Sequence, residues 1–390
     1  MGKGMYNEIM NDGRKKILIL TLSAGGGHNS AAGAVKDALK QKGFSCEIKN
    51  SLDFTSSVKK FIVTNGHVLM YRHLPKLYAL GYKIQDSLSS EDLYADYRRF
   101  ARQASAYVLA GGFCAVICVH IFPAIMLTEA KKKFSFRVPV FFISTDYTSS
   151  PGADRTKADR YYVPEGCGKE FLARSKTGLT CDRIEETGIP VNAVFYQHLP
   201  KEEARQRLSG ICSEFSGTRA EDPVVLIGAG SMGCGPLKEI AIRLASEQPG
   251  IRVVVFCGKN GKLKSRLDQA GKDLPNLIPL GFTKEVPLWM RAADLMITKP
   301  GGLTTTEAAT AGLPLLLFDE VPGLETHNMA WLVRRGCAMK AKNIPGIIRT
   351  AVMLVNTKKY LAGITARQKK HFSKNSAERI AGSISSFLNH

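Results

Sequence analysis

The first half of the chain contains, at residues 20–35, the stretch LTLSAGGGHNSAAGAV. An apolar strand is predicted at 16–22, and the three glycines that follow it lead into a helix that opens near His28. A glycine-rich turn between a strand and a helix leaves backbone N–H groups free at the helix N-terminus, which stabilises an anion such as phosphate. The stretch therefore indicates a parallel α/β sheet with a ligand site at the end of its first strand.

Strand-like and helix-like runs continue to alternate along most of the chain. Several strand-like runs are continuously apolar, which is typical of parallel strands covered on both faces. The predicted strands are 16–22, 46–49, 115–119 and 140–144 in the first half, and 224–227, 252–257, 277–280, 295–298 and 315–318 in the second half. Two such sets predict an α/β fold with two doubly wound, Rossmann-like domains.

The length of 390 residues also favours two domains over a single core. We expect a polar N-terminal tail at 1–14 without the apolar core of a signal peptide. The remaining divisions are an N-terminal domain at 15–205, a C-terminal domain at 206–365 and a basic helical segment at 366–390. A boundary slightly earlier, near Pro200, is the alternative.

The composition is strongly basic, with 54 Lys and Arg against 34 Asp and Glu. Such a surface attracts nucleic acid, anionic lipid or a phosphorylated substrate, or it is a solvated face with no specific partner. No nucleic-acid-binding motif accompanies the charge, so nucleic acid is disfavoured. The nine cysteines have no zinc spacing, which favours free thiols in a reducing cytosol.

Two segments could meet a membrane. Residues 53–106 form an insertion that mixes large apolar side chains with Lys and Arg. It is either a helical insertion packed on the first domain or a flap that lies on an anionic bilayer. Residues 107–127 are nearly unbroken apolar, but Gly111, Gly112 and Pro123 favour a helix end, a turn and a short strand over a membrane span.

A second glycine-rich turn has the sequence VVLIGAGSMGCGPL at residues 224–237. Gly228, Gly230 and Gly233 match the fingerprint of dinucleotide-binding sites. The next strand ends in FCGKN and lacks the carboxylate that would hold the ribose of NAD, so a nicotinamide cofactor is disfavoured. A phosphate at the helix N-terminus and tight packing of the strand on the helix remain the two interpretations.

A third cluster, TKPGGLTTTEAATAGLP, occupies residues 298–314. Thr304 can offer a hydroxyl and an N–H group in the first turn of the predicted helix. Glu307 lies one turn further on, where it either accepts hydrogen bonds from a ribose or simply suits the helix dipole. The loop after the next strand brings Glu325 and Asn328 to the same crevice.

Five separated motifs, together with their order, resemble those of glycosyltransferase family 28, in particular monogalactosyldiacylglycerol synthases and processive diacylglycerol glucosyltransferases. They are SAGGGHNSAAGAV, GAGSMGCGP, CGKN, LGFTKEVPLWMRAADLMITKPGGLTTTEAATAGLPLLL and VPGLETHNMAWLV, within residues 15–365. The resemblance implies a GT-B fold, in which two facing α/β domains enclose an interdomain cleft. It also implies inverting transfer of glucose or galactose from a UDP-sugar to the hydroxyl of 1,2-diacylglycerol, which makes a glycolipid.

The resemblance assigns the donor site residue by residue. It implies separate contacts for the diphosphate, the uracil, the ribose and the hexose of the donor. The donor-site residues are Gly27, Gly230, Ser231, Met232, Gly233, Phe282, Gly302, Leu303, Thr304, Glu307, Glu325 and Asn328. Phe282 would meet the uracil, Glu307 the ribose and Glu325 the hexose.

His28 and Asp146 are the expected catalytic residues, Asp146 by resemblance to an aspartate near the acceptor. A neutral imidazole can accept a proton near pH 7, and a helix N-terminus lowers its pKa. The alternative is a ring that only caps the turn. We expect no metal and no cofactor beside the UDP-sugar, because helix N-termini supply positive potential and the chain has no Asp-x-Asp pair.

The expected partners are the UDP-sugar, diacylglycerol and anionic lipids, and no protein partner is evident. Peripheral binding at the cytoplasmic face of the cell membrane suits these partners. The chain departs from the family pattern at Leu324, His120-Ile-Phe-Pro123 and Thr148-Ser149-Ser150. The alternatives are transfer to another lipid or polyprenyl-linked acceptor, and a non-catalytic UDP-sugar sensor.

Overall fold

The structure, a computed structural model, describes residues 15–22, 26–55, 91–150, 152–230, 233, 235–318 and 323–389. These residues form two α/β units, each built on a parallel sheet of six strands. Most of the predicted insertion at 53–106 lies outside the described residues. The predicted site residues Ser231 and Met232 also lie outside them.

The first unit contains six strands, with four helices of seven or more residues in its described part. Its elements are β1 Lys16–Thr21, α1 Gly26–Gln41, β2 Ser45–Asn50, α2 Glu91–Ala110, β3 Ala115–Cys118, α3 Ile121–Lys133, β4 Val140–Ile143, β5 Arg160–Val163, α4 Gly168–Arg174 and β6 Ile184–Glu186. The strand order is β2-β1-β3-β4-β5-β6, so each neighbouring pair is parallel and connected by a crossover or a longer loop.

The second unit repeats this architecture. Its elements are α5 Lys201–Ser209, β7 Val224–Gly228, α6 Leu237–Glu247, β8 Arg252–Gly258, α7 Gly261–Gly271, β9 Leu277–Gly281, α8 Val286–Ala292, β10 Leu295–Thr298, α9 Gly302–Thr310, β11 Leu315–Phe318, α10 Leu324–Arg334, β12 Met339–Ala341, α11 Ile344–Asn356 and α12 Lys358–Phe372. The strand order is β12-β11-β10-β7-β8-β9. A final helix, α13 Ser376–Asn389, follows.

Every strand predicted from an apolar run is present, with ends that differ by at most one residue. The strands β5, β6 and β12 were not predicted. Two of them, β6 (IEE) and β12 (MKA), are three-residue edge strands that carry charged side chains. Short and partly charged strands are a common way to protect a sheet edge, and they leave no apolar run to recognise.

The apolar segment at 107–127 has the structure that its glycines predicted. Helix α2 ends at Ala110, Gly112 adopts a positive φ of 63°, and the short strand β3 leads to α3. Among the helices of the described residues, none combines the length and the apolarity needed to cross a bilayer.

Helix α5 belongs to the second unit, although the sequence placed a boundary inside it. The guanidinium of Arg205 is buried and donates hydrogen bonds to the carbonyl of Ala292 and to Asp294, each at 3.0 Å. Asp294 also accepts from Lys201 Nζ at 2.7 Å. Helix α5 is thus held on the second unit by Lys201 and Arg205.

The last helix, α13, returns to the first unit. Ile380 and Ile384 are buried in a core shared with residues of β1, β3 and α1. The hydroxyl of Tyr162 in β5 donates to Ser383 Oγ at 2.9 Å. The segment that stands apart from the second unit therefore begins at Ser376 rather than at residue 366.

The two units contact each other through a continuous core. Tyr147, which follows β4, stacks on Trp331 of α10 with ring centroids 4.4 Å apart, and its hydroxyl lies 2.5 Å from Thr306 Oγ1 in α9. Leu303 at the start of α9 is buried in the same core. This packing makes the loops at the carboxyl ends of the two sheets face each other.

Candidate active site

A cavity of about 1110 Å³ lies between the two units. Residues at the start of α1 form one wall, and the carboxyl ends of β7 and β9 with the start of α9 form the other. Six of the predicted donor-site residues line it: Gly27, Gly230, Phe282, Leu303, Thr304 and Glu307. The cleft predicted between two facing sheets is therefore present, with groups from both units on its walls.

Glycine conformations shape the turn after β7. Gly230 and Gly233 have φ values of 68° and 55°, which a residue with a side chain adopts at a cost. A Cβ atom on Gly233 would lie 2.5 Å from the carbonyl oxygen of Cys257, whereas one on Gly230 would meet no atom of the described residues within 4 Å. Gly233 is thus required for the packing of the turn, and Gly230 leaves open space beside the cavity.

The cavity meets the start of helix α9 at Leu303 and Thr304. Backbone N–H groups in the first turn of a helix have no partner within the helix, so they can bind an anion. Across the cavity, a Cβ atom on Gly27 would lie 3.5 Å from the Leu303 side chain. The N-terminal turns of α1 and α9 therefore approach each other from the two units.

Glu307 is the carboxylate in the wall of the cavity on α9. Burial raises its pKa to about 7, because a desolvated carboxylate loses the stabilisation that water gives to its charge. The side chain is therefore protonated in about half of the molecules near neutral pH. A ligand that donates hydrogen bonds to this carboxylate would favour the ionised form.

His28 lies in the first turn of α1, next to Gly27 of the cavity wall. Its Nδ1 is 3.2 Å from Thr145 Oγ1, and its ring meets the His120 ring edge to face with centroids 4.9 Å apart. Burial lowers the pKa of His28, while Asp146 and a hydrogen bond with the Val119 backbone oppose this effect. The imidazole is thus predominantly neutral at pH 7 and able to accept a proton.

The tautomer of the neighbouring His120 is fixed by a backbone hydrogen bond. Its Nδ1 accepts a hydrogen bond from the backbone N–H of Phe122 at 3.0 Å, which caps the start of α3. In the neutral ring the proton is therefore on Nε2. The sequence singled out this histidine only as a departure from a family pattern, and the structure places it against His28.

Asp146 and Asn328 come from different units and are hydrogen-bonded to each other. Asn328 is completely buried, and its Nδ2 donates to Asp146 Oδ1 at 2.8 Å and to the carbonyl of Pro300 at 3.0 Å. Its Oδ1 accepts from the N–H of Tyr147 at 2.8 Å. Both amide hydrogens of Asn328 are used in this bridge, and the residue does not line the cavity.

Gly302 is the closest point of contact between the units at this bridge. A Cβ atom there would lie only 1.9 Å from the carbonyl oxygen of Thr145, which no side chain can occupy. The loop that carries Asp146 therefore presses directly on the first residue of α9. Gly302 serves this close approach and does not line the cavity wall.

Glu325 forms an ion pair that the sequence did not predict. Lys299 Nζ lies 2.6 Å from Glu325 Oε1, and both side chains are about four-fifths buried. The second carboxylate oxygen, Oε2, is buried and has no hydrogen-bond partner among the described residues. Lys299 directly precedes the PGG motif at the end of a predicted strand, and that position is the signal that could have drawn attention to it.

The described residues contain no group of three or more His, Cys, Asp and Glu side chains that could hold a metal ion. Among the described site residues, six line the cavity. Asp146, Gly302 and Asn328 form a polar bridge where the units touch, and His28 lies beside it on Thr145. Gly233 and Glu325 belong to neither group.

Two facing parallel α/β units with a cleft between their carboxyl ends define the GT-B class of glycosyltransferases. Solved structures agree with this fold. MurG of Acinetobacter baumannii matches with a TM-score of 0.63 and 16% identity, over 95% of this chain and 99% of that one. UGT71G1 of Medicago truncatula, complexed with UDP-glucose, matches with a TM-score of 0.60 and 12% identity, over 97% and 99%. These similarities establish the fold.

Sequence comparison narrows the class. Residues 28–191 match the family model of monogalactosyldiacylglycerol (MGDG) synthase, and residues 224–380 match the C-terminal domain of glycosyltransferase family 28. The two matches together cover most of the chain, which therefore belongs to glycosyltransferase family 28. It is 29% identical to a processive diacylglycerol beta-glucosyltransferase of Bacillus pumilus, over 95% of this chain and 94% of the relative. A protein of the same name from Staphylococcus saprophyticus is 25% identical over 96% and 94%.

Proposed function

We propose that the protein is an inverting glycosyltransferase that moves a hexose from a UDP-hexose to the hydroxyl of 1,2-diacylglycerol. The observation that carries this proposal is the position of the neutral His28 ring, which directly follows Gly27 of the cavity wall, opposite the start of α9 and Glu307 on the other wall. Family membership and the names of the relatives support the choice of diacylglycerol as acceptor. The relatives' names favour glucose over galactose.

The donor is held mainly by backbone groups. The turn at Gly230 and the first turn of α9 bind the diphosphate through N–H groups, so that the negative charge growing on UDP is stabilised as the sugar leaves. Glu307 accepts hydrogen bonds from the ribose hydroxyls, and Phe282, which is 65% exposed, covers the uracil. No metal ion or cofactor is needed in this scheme.

The chemical step is a direct displacement. The diacylglycerol oxygen forms a bond to the anomeric carbon while the bond from that carbon to the β-phosphate oxygen breaks, and the electron pair leaves with UDP. The proton of the acceptor hydroxyl passes to His28 Nε2 in the tautomer whose ring proton is on Nδ1, which donates to Thr145 Oγ1. Asp146, held by Asn328, favours the imidazolium that results.

The test is product formation by the purified protein. Vesicles of dioleoylglycerol are incubated with UDP-glucose or UDP-galactose, and the lipids are analysed by mass spectrometry. We expect hexosyldiacylglycerol, with UDP-glucose the better donor. Failure to form glycolipid with either donor would overturn the proposal, product on a polyprenyl acceptor alone would replace the acceptor, and donor binding without turnover would indicate a sensor.

We further propose that the protein binds peripherally to anionic lipid at the cytoplasmic face of the cell membrane. The formal net charge of +20 supports this, since each basic residue near an anionic surface contributes to binding. Flotation with vesicles of neutral and anionic phospholipid measures it. We expect binding only to the anionic vesicles and release at high salt, because salt screens surface charges; salt-resistant binding to neutral vesicles would contradict it.

A further inference from the structure

The ion pair between Lys299 and Glu325 lies at the carboxyl edge of the second sheet. Lys299 directly follows β10, and Glu325 is in the first turn of α10, which comes after β11. Since β10 and β11 are parallel neighbours, their carboxyl ends lie side by side and bring the two residues together. The Nζ to Oε1 distance is 2.6 Å.

One oxygen of this carboxylate lacks a partner. Glu325 Oε1 accepts from Lys299, but Oε2 is buried and accepts no hydrogen bond from any residue that the structure describes. Buried polar atoms in folded proteins are nearly always satisfied, so an unpaired one calls for an explanation such as a ligand. A carboxylate oxygen can only accept, which means that the matching ligand group is a donor such as a hydroxyl.

A hydrogen bond ties together the two backbone segments that carry the ion pair. The carbonyl of Pro300, the residue after Lys299, accepts a hydrogen bond from Asn328 at 3.0 Å, and Asn328 lies one turn beyond Glu325 in α10. The loop that carries Lys299 and the helix that carries Glu325 are therefore tied together. The ion pair is preorganised before any ligand arrives.

The same loop leads into the proposed diphosphate site. Helix α9 begins at Gly302, three residues after Lys299. A hexose joined to a diphosphate at the start of α9 is covalently held near this edge of the sheet. The hydroxyls of this hexose are therefore the hydrogen-bond donors that we expect beside Glu325.

We propose that Lys299 is a positioning and specificity-determining residue for the hexose of the donor. It holds Oε1 of Glu325, so that Oε2 is presented to one sugar hydroxyl. This inference rests on the proposed function, because it takes a UDP-hexose as the ligand. Lys299 acts through Glu325 and contributes nothing to the binding of the nucleotide part.

The experiment compares the binding of UDP, UDP-glucose and UDP-galactose by titration calorimetry in the full-length protein. The variants are Lys299→Met, Glu325→Gln and the double variant. We expect Lys299→Met to weaken the better UDP-hexose about tenfold or more, which is the loss of one charged hydrogen bond, and to leave UDP within about twofold. Because one residue acts through the other, the double variant should bind the hexose donor no more weakly than Glu325→Gln.

A matched control breaks an exposed ion pair of the same unit. Arg243 Nε lies 2.5 Å from Glu247 Oε1 on α6, and both side chains are about two-fifths exposed. The variant Arg243→Met should bind all three nucleotides as the wild type does. Lys299→Arg, which keeps the charge, should recover part of the hexose affinity.

Three results would overturn the inference. Equal losses for UDP and UDP-hexose in Lys299→Met would mean that Lys299 contacts the diphosphate directly. A lower thermal midpoint with unchanged hexose affinity would mean that the ion pair is only structural. Additive losses in the double variant would mean that the two residues act separately.

The inference can still be tested if the Lys299→Met variant does not fold. The double variant removes both charges together, and its comparison with Glu325→Gln decides the question alone. Wild-type protein that binds neither UDP nor a UDP-hexose would refute the proposed function itself. Wild-type protein that binds a UDP-hexose but transfers nothing to diacylglycerol would refute the acceptor and leave the Lys299 inference testable as described.

Discussion

The cavity wall and the polar bridge beside it use similar residue types in opposite ways. In the wall, Thr304 and Glu307 border open space and the N–H groups at the start of α9 are available to a ligand. In the bridge, Asn328 uses both amide hydrogens and its oxygen on groups of the two units. Unsatisfied polar groups therefore indicate where a ligand binds, and satisfied ones indicate what holds the two units in register.

His28 and Asp146 connect the two regions. His28 is adjacent in sequence to Gly27 of the cavity wall, and its Nδ1 contacts Thr145 of the loop that the bridge fixes. Asp146 acts on the charge of His28 and is itself held by Asn328. The proton acceptor is thus held by Thr145 and His120 of its own unit, and the second unit acts on it through Asn328, which holds Asp146.

Removal of the His28 imidazole tests the most direct link between the regions and should have the largest effect. We expect His28→Ala to lower kcat by about 10²- to 10⁴-fold, because no other group takes the proton, while UDP affinity stays within about twofold. Steady-state kinetics and titration calorimetry measure the two quantities. His327→Ala removes an exposed imidazole on α10 and serves as the control. A loss of UDP affinity as steep as the loss of rate would exclude the role of base.

Protonation of the same ring gives a pH dependence with a defined sign. Because the pKa of His28 is lowered below its usual 6.5, kcat/KM should be insensitive to this group above about pH 6.5. Below its pKa the ring is charged, and kcat/KM should fall about tenfold per pH unit. Because the pKa of Glu307 is about 7 and affects donor binding, the profile is also measured in Glu307→Gln; a decline between pH 8 and 7 that persists in this variant would contradict a neutral resting imidazole.

A methyl group at Gly302 should separate the two units where they touch most closely. The Cβ of Gly302→Ala would overlap the carbonyl oxygen of Thr145 at 1.9 Å, so the loop with Asp146 must move away. Overpacking of this kind costs about 1–3 kcal/mol, and we expect kcat/KM to fall by about 10- to 100-fold. Gly301→Ala is the matched control, because its Cβ would meet nothing within 4 Å. Equal effects of the two substitutions would argue against a functional contact between the units.

The fold was predictable because its signals are local. The apolar runs at 224–227 and 315–318 mark buried parallel strands, and the glycines that follow such runs mark the turns at the carboxyl edge of a sheet. These signals gave the two units and the cleft. They did not predict β12, because this edge strand has only three residues, one of them a lysine, and therefore shows no apolar pattern.

The cavity wall was likewise predictable and the bridge was not. Thr304 and Glu307 follow a strand and open a helix, so their position at the cleft can be derived from a short stretch of sequence. The partners of Asn328 in the other unit, Asp146 and Tyr147, lie 182 and 181 positions away, and no local pattern relates them. Lys299 was missed for the same reason, because its partner is 26 positions further along the chain.

The role of Asn328 in the bridge can be distinguished from its role in stability. Asn328→Ala leaves buried groups on both units without partners, which costs about 1–3 kcal/mol, and should lower both the thermal midpoint and kcat. Asn276 is the matched control: it is also buried and donates to the carbonyls of Ala245 and Ile251, each at 3.0 Å, within the second unit alone. Asn276→Ala should reduce the thermal midpoint comparably and leave kcat near the wild-type value. If both variants lost activity in proportion to stability, the bridge would have no specific role.

The smallest expected effect is the pH dependence of nucleotide binding through Glu307. Its pKa of about 7 means that UDP, whose ribose donates to the carboxylate, must displace a proton at lower pH. The contribution of Glu307 should therefore raise UDP affinity about tenfold from pH 6 to pH 8. At about pH 6.5, UDP binding should release a proton from this carboxyl group. Calorimetry in buffers of different ionisation enthalpy measures the released protons.

The titration of UDP itself is common to the wild type and to Glu307→Gln, so only the difference between them reports on Glu307. Glu247→Gln, an exposed change on α6, should behave like the wild type. Equal proton release by wild type and Glu307→Gln would show that the ribose does not bind this carboxylate, and the cavity wall would then have to hold the nucleotide in another way.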